Sequence, residues 1–153
     1  MGQRGVASTC DMTIVTTESE VEMAIDVQAS RDWLITRERA AYQLRERRRR
    51  AAFDAVGAAV RAIAPRYPQV RRAFLFGSVT RPGGLSEISD LDVAVEGMLG
   101  AEEFFALWRE LEQTVDEWPV DLVELDRRAA HFARRVWETG ELIYERTAPD
   151  PQS

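Results

Sequence analysis

The hydrophobic residues of this chain follow a helical spacing in its first half. From Arg31 to about Ala64 the sequence contains one glycine and no proline, and apolar residues recur near every third or fourth position in the second part of that segment. This pattern predicts one long helix or two helices in sequence. Ser30 or Asp32 is the expected N-cap, and Pro65 with Pro68 ends the helical segment.

Short apolar segments alternate with amphipathic ones in the second half. The pattern predicts strands at 70–77, 91–95 and 120–125, helices at 101–115 and 127–139, a loop at 78–89, and a short apolar segment at 141–144. This order predicts an α/β (α+β) domain, in which a small mixed β-sheet is flanked by helices and preceded by a long N-terminal helix.

The first 29 residues have the weakest pattern. Their β-branched residues lie on both sides of Glu18-Ser19-Glu20, an arrangement consistent with a β-hairpin with a loose turn. We therefore divide the chain into an N-terminal extension of uncertain structure at 1–29, one domain at 30–147 and a tail at 148–153.

Composition narrows the class of protein. A length of 153 residues with 45% hydrophobic side chains suits one domain with an adequate core. A single cysteine, Cys10, excludes an internal disulfide, and a single histidine, His131, argues against a zinc site. We expect a cytoplasmic protein without a membrane segment, because the chain shows neither a leader pattern nor a run of about 20 apolar residues.

Charge is distributed unevenly along the chain. All 20 basic residues are arginine, and the net charge is −4 over 1–30, +8 over 31–72 and −10 over 73–153. The run at 45–50 admits three interpretations: a solvated helix face, a surface for an acidic partner, or a nucleic-acid patch. The last is the weakest because few aromatic residues interrupt the run, so we expect no direct nucleic-acid binding.

Acidic residues at the start of two predicted strands are the candidate catalytic groups. Asp90 and Asp92 are two positions apart, so their carboxylates share one face of a strand. Two like charges so close repel each other unless a cation such as Mg²⁺ lies between them. If the following strand is a neighbour, Asp121 completes a cluster of three carboxylates.

A glycine-serine turn precedes these acids in the sequence. Gly77 ends a predicted strand, where a glycine allows close approach to a phosphate, and Ser78 adds a hydroxyl donor. Arg81 follows one turn later and supplies a positive charge. Together with the acids, this turn is typical of a site that binds a phosphorylated substrate.

These motifs carry a family resemblance over residues 70–145. FLFGSVTRPGG, SEISDLDVAVEG, VDLVEL and WETGELIYE together resemble the nucleotidyltransferase superfamily that includes DNA polymerase beta. More narrowly, the chain is similar to the minimal nucleotidyltransferase (MNT) antitoxins, which pair with HEPN toxins. Thr80 and Pro82 depart from the alanine and glycine that are usual around the family's arginine.

The resemblance implies a role for each site residue. Gly77, Ser78 and Arg81 would bind the triphosphate of ATP. Asp90 and Asp92 would hold two Mg²⁺ ions, and Asp121 would share one metal ion and help to deprotonate the attacking hydroxyl.

The same resemblance implies a function. The chain would transfer AMP from ATP to a tyrosine of a cognate HEPN ribonuclease toxin, with which it would form a hetero-oligomer. Two alternatives stay open at this point. The chain acts as an antitoxin by binding alone, or it modifies a small molecule such as an aminoglycoside.

Overall fold

Helices on both sides of a four-stranded sheet make up the part of the chain that the structure, a computed structural model, describes, namely residues 11–149. Its elements in chain order are α1 (Asp11–Ile63), β1 (Arg72–Phe76), β2 (Leu91–Glu96), α2 (Ala101–Thr114), β3 (Val120–Glu124), α3 (Ala130–Thr139) and β4 (Glu141–Glu145). Short 3-10 turns lie at Ala64–Arg66, Gly77–Thr80 and Leu125–Arg127. The predicted α/β class with a mixed sheet is confirmed.

The sheet has the strand order β3-β2-β1-β4. β1 pairs antiparallel with β2 and with β4, whereas β2 and β3 are parallel. The last residue of β1 and the first residues of β2 and β3 therefore meet at one end of the sheet. The apolar segment at 141–144 forms the edge strand β4, which the sequence pattern had left unassigned.

The alternation of side chains along the strands divides the core into two layers. Leu75 and Val93 belong to the layer that α1 and α2 cover, in which Val56 and Leu107 are also fully or almost fully buried. Phe74, Ala94 and Val123 belong to the opposite layer, which α3 covers with Ala133 and Val136. Both faces of the sheet are therefore packed, in agreement with the predicted sheet flanked by helices.

The N-terminal predictions were wrong in two respects. Helix α1 is continuous from Asp11, so residues 12–27 form helix rather than a β-hairpin, and neither Ser30 nor Asp32 begins it. The sequence contains no glycine or proline from residue 6 to residue 56, so nothing interrupts the helix once it has formed. Instead of capping, the Asp32 carboxylate accepts a hydrogen bond from Gln28 at 3.2 Å within the helix.

The other helices and strands are confirmed with ends shifted by up to three residues. The parts of the predicted extension and tail at 1–10 and 150–153 lie outside the described residues. By their contacts, the residues separate into two compact units, one ending at Ala41 and one beginning at Tyr42. In the first unit, side chains 26–41 are exposed. No helix among the described residues is long and apolar enough to cross a membrane.

Candidate active site

Two of the three candidate carboxylates lie side by side on adjacent strands. Asp92 is the second residue of β2 and Asp121 is the second residue of β3, and the two are register partners in the parallel pair. The expectation that these strands are neighbours is thus confirmed. Asp90 lies just before β2 and is exposed, while Asp92 is half-buried. The end of the sheet therefore presents three acids, of which Asp90 and Asp121 are exposed and Asp92 is half-buried.

The acidity of the Asp92 carboxyl is strongly perturbed. Burial raises the pKa of its carboxyl to about 6, and the nearby charges of Asp121 and Asp90 act in the same direction. The positive charge of Arg81 opposes this shift only in part. A carboxylate that is both desolvated and repelled by its neighbours is one that a bound cation would stabilise.

Gly77 lies against this carboxylate. Its φ of +72° falls in the left-handed region, which suits glycine, and Phe76 just before it is the register partner of Asp92 in the antiparallel pair. A Cβ at residue 77 would lie 3.1 Å from Cγ of Asp92 and would collide with Oδ2 of the same side chain. Glycine is therefore needed here to leave room for the Asp92 carboxylate, a reason that the sequence alone did not give.

The loop that follows Gly77 is folded by its own hydrogen bonds. The Thr80 hydroxyl donates to the Gly77 carbonyl at 2.8 Å, and the Arg81 N–H donates to the Ser78 carbonyl at 3.2 Å. The Gly84 N–H then donates to the Arg81 carbonyl at 2.9 Å. Thr80, a departure from the family pattern, thus stabilises the turn. Ser78 is half-buried, and Arg81 is exposed.

An open cavity of about 420 Å³ lies beside Asp90 and Asp121. Its aromatic lining comes from α2 and consists of Phe104, Phe105 and Trp108. The Trp108 ring N–H donates to the Val120 carbonyl at 2.8 Å, which ties α2 to the edge strand β3. The sequence pattern does not predict this aromatic lining, because the spacing of these residues is also that of a helix whose aromatic side chains face the core. The exposure of Phe105, 52%, sets it apart from the core.

The carboxylates suit magnesium by their chemistry. Oxygen donors of Asp are the hard ligands that Mg²⁺ prefers, and the repulsion around Asp92 favours a divalent cation. Within residues 11–149, however, no three His, Cys, Asp or Glu side chains stand close enough to share one metal ion as placed. By donor type the carboxylates still fit Mg²⁺, and Asp92 and Asp121 are the two that the parallel strand pair places side by side.

The arginine run on α1 is not a uniform surface. Arg45 and Arg47 are exposed, and the Arg50 side chain is 74% exposed. We call these three side chains the arginine surface. Arg49, in contrast, is only 13% exposed because its guanidinium is bound to Glu46 and to the carbonyl of Val79. The run therefore contains one structural arginine and a solvent-facing group.

Comparison with known proteins decides the family. The sequence matches the family described as polymerase beta, nucleotidyltransferase over residues 59–148, which include every candidate site residue. The chain belongs to this family. It is therefore a nucleotidyltransferase, and the resemblance seen in its motifs is confirmed at the level of the superfamily and of the enzyme class.

Several solved structures are similar to part of the chain. A chain of a toxin–antitoxin complex with AMP-PNP is 24% identical, with 61% of this chain and 73% of that chain covered and a TM-score of 0.49. A chain of the MntA–HepT toxin–antitoxin complex is 23% identical, with 68% and 73% covered and a TM-score of 0.43. A chain of the complex of the tri-AMPylated Shewanella oneidensis HEPN toxin with the MNT antitoxin is 21% identical, with 69% of this chain and 73% of that chain covered and a TM-score of 0.45. No curated protein sequence matches the chain.

Proposed function

We propose that this chain is an MNT antitoxin that transfers AMP from ATP to a tyrosine hydroxyl of a cognate HEPN ribonuclease toxin and so neutralises it. The observation that carries the chemistry is the pairing of Asp92 with Asp121 next to Gly77, in a chain of the nucleotidyltransferase family. The choice of ATP, of tyrosine and of a HEPN partner rests on the sequence resemblance. We place this function in residues 30–147 and expect the pair to act in the cytoplasm.

The nucleotide would bind at the loop after β1. Ser78, half-buried at the start of the turn, has a hydroxyl and a backbone N–H to offer to phosphate oxygens. Arg81 is exposed at the end of the same turn, where its guanidinium can pair with a phosphate group. Since the chain contains no lysine, the positive charge that the protein brings to the triphosphate comes from arginine.

The carboxylates would serve the transfer itself. Asp90, Asp92 and Asp121 would hold two Mg²⁺ ions, which stabilise the charge that develops on the phosphate during in-line displacement. Asp121 is exposed, so its carboxylate is accessible to an incoming hydroxyl and would accept the proton of that group. The tyrosine oxygen then bonds to the α phosphorus, the bond from that phosphorus to the bridging oxygen breaks, and pyrophosphate leaves.

The experiment that tests this proposal weighs both proteins. The purified chain is incubated with ATP, Mg²⁺ and the product of the adjacent gene, which we expect to be a small helical protein. Intact-mass spectrometry then follows the mass of each protein. We expect the partner to gain the mass of one or more AMP groups, and this gain to disappear in Asp90→Ala/Asp92→Ala.

A second measurement on the same variant separates catalysis from binding. If the double variant still neutralises the toxin in cells at the level of the wild type, the chain acts by sequestration and the catalytic proposal is wrong. A matched control is Asp116→Ala/Asp126→Ala, which removes two acids outside the site. Because Asp126 bonds to the N–H of Gly97, transfer is compared at equal amounts of folded protein.

A further inference from the structure

Helix α1 contacts the loop between Gly77 and Gly84 at three points. These contacts come from Tyr42, Glu46 and Arg49, which lie on one side of the helix at spacings of four and three residues. All of them belong to the compact unit that begins at Tyr42. They lie far from the loop in sequence, so no local motif predicts them.

Arg49 joins the helix to the loop through both sides of its guanidinium. Nη1 donates to the Val79 carbonyl at 2.8 Å, next to Ser78 in the chain. Nε and Nη2 donate to the two carboxylate oxygens of Glu46 at 2.9 and 2.6 Å. Only a planar group with several fixed donors can make these bonds at once, so lysine is no substitute.

Glu46 holds the other end of the loop. Its Oε2 accepts a hydrogen bond from the Gly83 N–H at 2.8 Å, while Arg49 fixes the carboxylate from the opposite side. The bonds from Arg49 and from Gly83 hold the pKa of Glu46 at about 2. The carboxylate is therefore ionised near neutral pH, where it can accept the hydrogen bonds from Arg49 and Gly83.

Tyr42 sets how close the loop comes to the helix. Gly83 has a φ of +68°, and a Cβ there would lie 2.6 Å from Cε2 of the Tyr42 ring. Gly84 is equally restricted, since its Cβ would lie 2.8 Å from the Ser78 carbonyl oxygen. The backbone of the loop thus packs directly on α1 at one side and on Ser78 at the other.

We propose that Glu46 and Arg49 are positioning residues, which hold the loop Gly77–Gly84 in the conformation that presents Ser78 and Arg81 to the triphosphate. The inference rests on the proposed nucleotide-binding role of that loop. The proposed role of both residues is indirect, because Arg49 bonds to the backbone at Val79 and Glu46 to the backbone at Gly83.

The test uses the full chain and two conservative variants. Arg49→Lys keeps the positive charge but loses the planar guanidinium with its several donors. Glu46→Gln keeps the size of the side chain but loses its charge. Arg61→Lys is the matched control, because Arg61 is exposed on α1 in the same compact unit and lies outside the arginine surface. Hydrogen exchange of residues 77–84 is measured without nucleotide, and ATP affinity is measured by calorimetry with Mg²⁺. The apparent KM and kcat of transfer complete the set.

For both variants we expect amide exchange in the loop to become about tenfold faster and ATP affinity to become about tenfold weaker. A tenfold change corresponds to the loss of about one charge-assisted hydrogen bond. The apparent KM for ATP should rise while kcat stays nearly unchanged, and Arg61→Lys should match the wild type in all of these measurements. Unchanged loop exchange, faster exchange throughout the domain, or faster loop exchange without weaker ATP binding would each overturn the inference. If the loop responds as expected but wild-type protein binds no ATP, the proposed function fails and this inference fails with it, although the contact itself is real.

Discussion

Asp92 is the residue at which folding and proposed function oppose each other. Its carboxyl is half-buried against Gly77 and lies between two other acids, so its pKa of about 6 exceeds the ordinary value of 3.8. Between these two pH values the native protein holds a proton that the unfolded chain has released. The contribution of Asp92 to the free energy of unfolding therefore falls as pH rises from about 4 to 6, and it stays low above that range.

Asp92→Asn should restore the free energy of unfolding that the ionised Asp92 carboxylate removes. Without divalent cations at pH 7.5, we expect the variant to unfold at a higher denaturant concentration than the wild type, because a repelled charge has been removed. Addition of Mg²⁺ should raise the midpoint of the wild type more than that of the variant. Chemical denaturation with EDTA or with Mg²⁺, from pH 4 to pH 8, measures both effects.

Asp126→Asn is the control, because its expected effect on stability is opposite to that of Asp92→Asn. Burial alone would raise the pKa of Asp126, but hydrogen bonds from the Gly97 N–H and from Arg71 lower it overall. Its ionised form therefore stabilises the fold, and the variant should be less stable than the wild type at neutral pH. A wild type that is at least as stable as Asp92→Asn in EDTA at pH 7.5 would contradict the interpretation of Asp92.

The conformation of Gly77 and its contact with Asp92 predict that a side chain at residue 77 is not tolerated. Gly77→Ala places a Cβ against the Asp92 carboxylate at a φ of +72°, so we expect a loss of about 1 kcal/mol or more in the free energy of unfolding, together with loss of transfer. The control is Gly57→Ala in α1, where the new Cβ would meet only the Arg61 side chain at 3.5 Å. That variant should gain up to about 1 kcal/mol, because alanine favours a helix interior. Equal effects at the two positions in urea denaturation would show that Asp92 does not restrict residue 77.

At the scale of elements, the arginine run of α1 has two parts, one that contacts the nucleotide loop and one that faces solvent. The sequence alone does not distinguish them. Within the run at 45–50, Arg49 faces the loop, while the arginine surface faces solvent. Charge reversal across the whole run would therefore alter the nucleotide loop and the surface at once. The two effects separate only when Arg49 is left in place.

Arg45→Glu/Arg47→Glu tests the arginine surface on its own. If an acidic partner binds there, we expect affinity for the toxin to fall about tenfold, more at low salt than at high salt, with ATP affinity unchanged. Arg134→Glu/Arg135→Glu on α3 is matched in charge and exposure and should leave the affinity as it is. Calorimetric titration of the partner at two salt concentrations makes the comparison. Equal affinities for the wild type and the α1 variant would show that the surface is only a solvated helix face.

The elements also show what sequence patterns predict and what they miss. Strands β1 to β3 and helices α2 and α3 follow from apolar periodicity, which reports burial directly. At residues 12–27 the β-branched side chains favour a hairpin, but the segment contains no glycine or proline, and it forms helix. The contact of Glu46 with Gly83 spans 37 positions, and such a pairing is a property of the tertiary fold that periodicity does not encode.

At the scale of the whole molecule, the site depends on how three strands meet. Antiparallel β1 and parallel β3 on either side of β2 bring Gly77, Asp92 and Asp121 to one end of the sheet. The sequence motifs predict all three as site residues. Whether Asp121 lies beside Asp92 depends on the strand order, which only the structure shows. The steric need for Gly77 and the cavity lined by α2 depend on distances between elements and were not predictable from residue types.

The most direct test of nucleotidyl transfer follows the phosphate groups of ATP. The chain is incubated with Mg²⁺, its partner and ATP labelled at either the α or the γ phosphate, and label bound to the partner is counted after denaturing electrophoresis. We predict stable incorporation from α-labelled ATP, none from γ-labelled ATP, and none from either with Asp92→Asn or Asp121→Asn. Incorporation from γ-labelled ATP, or neutralisation of the toxin with no label on either protein, would show that the chain does not neutralise its partner by AMP transfer.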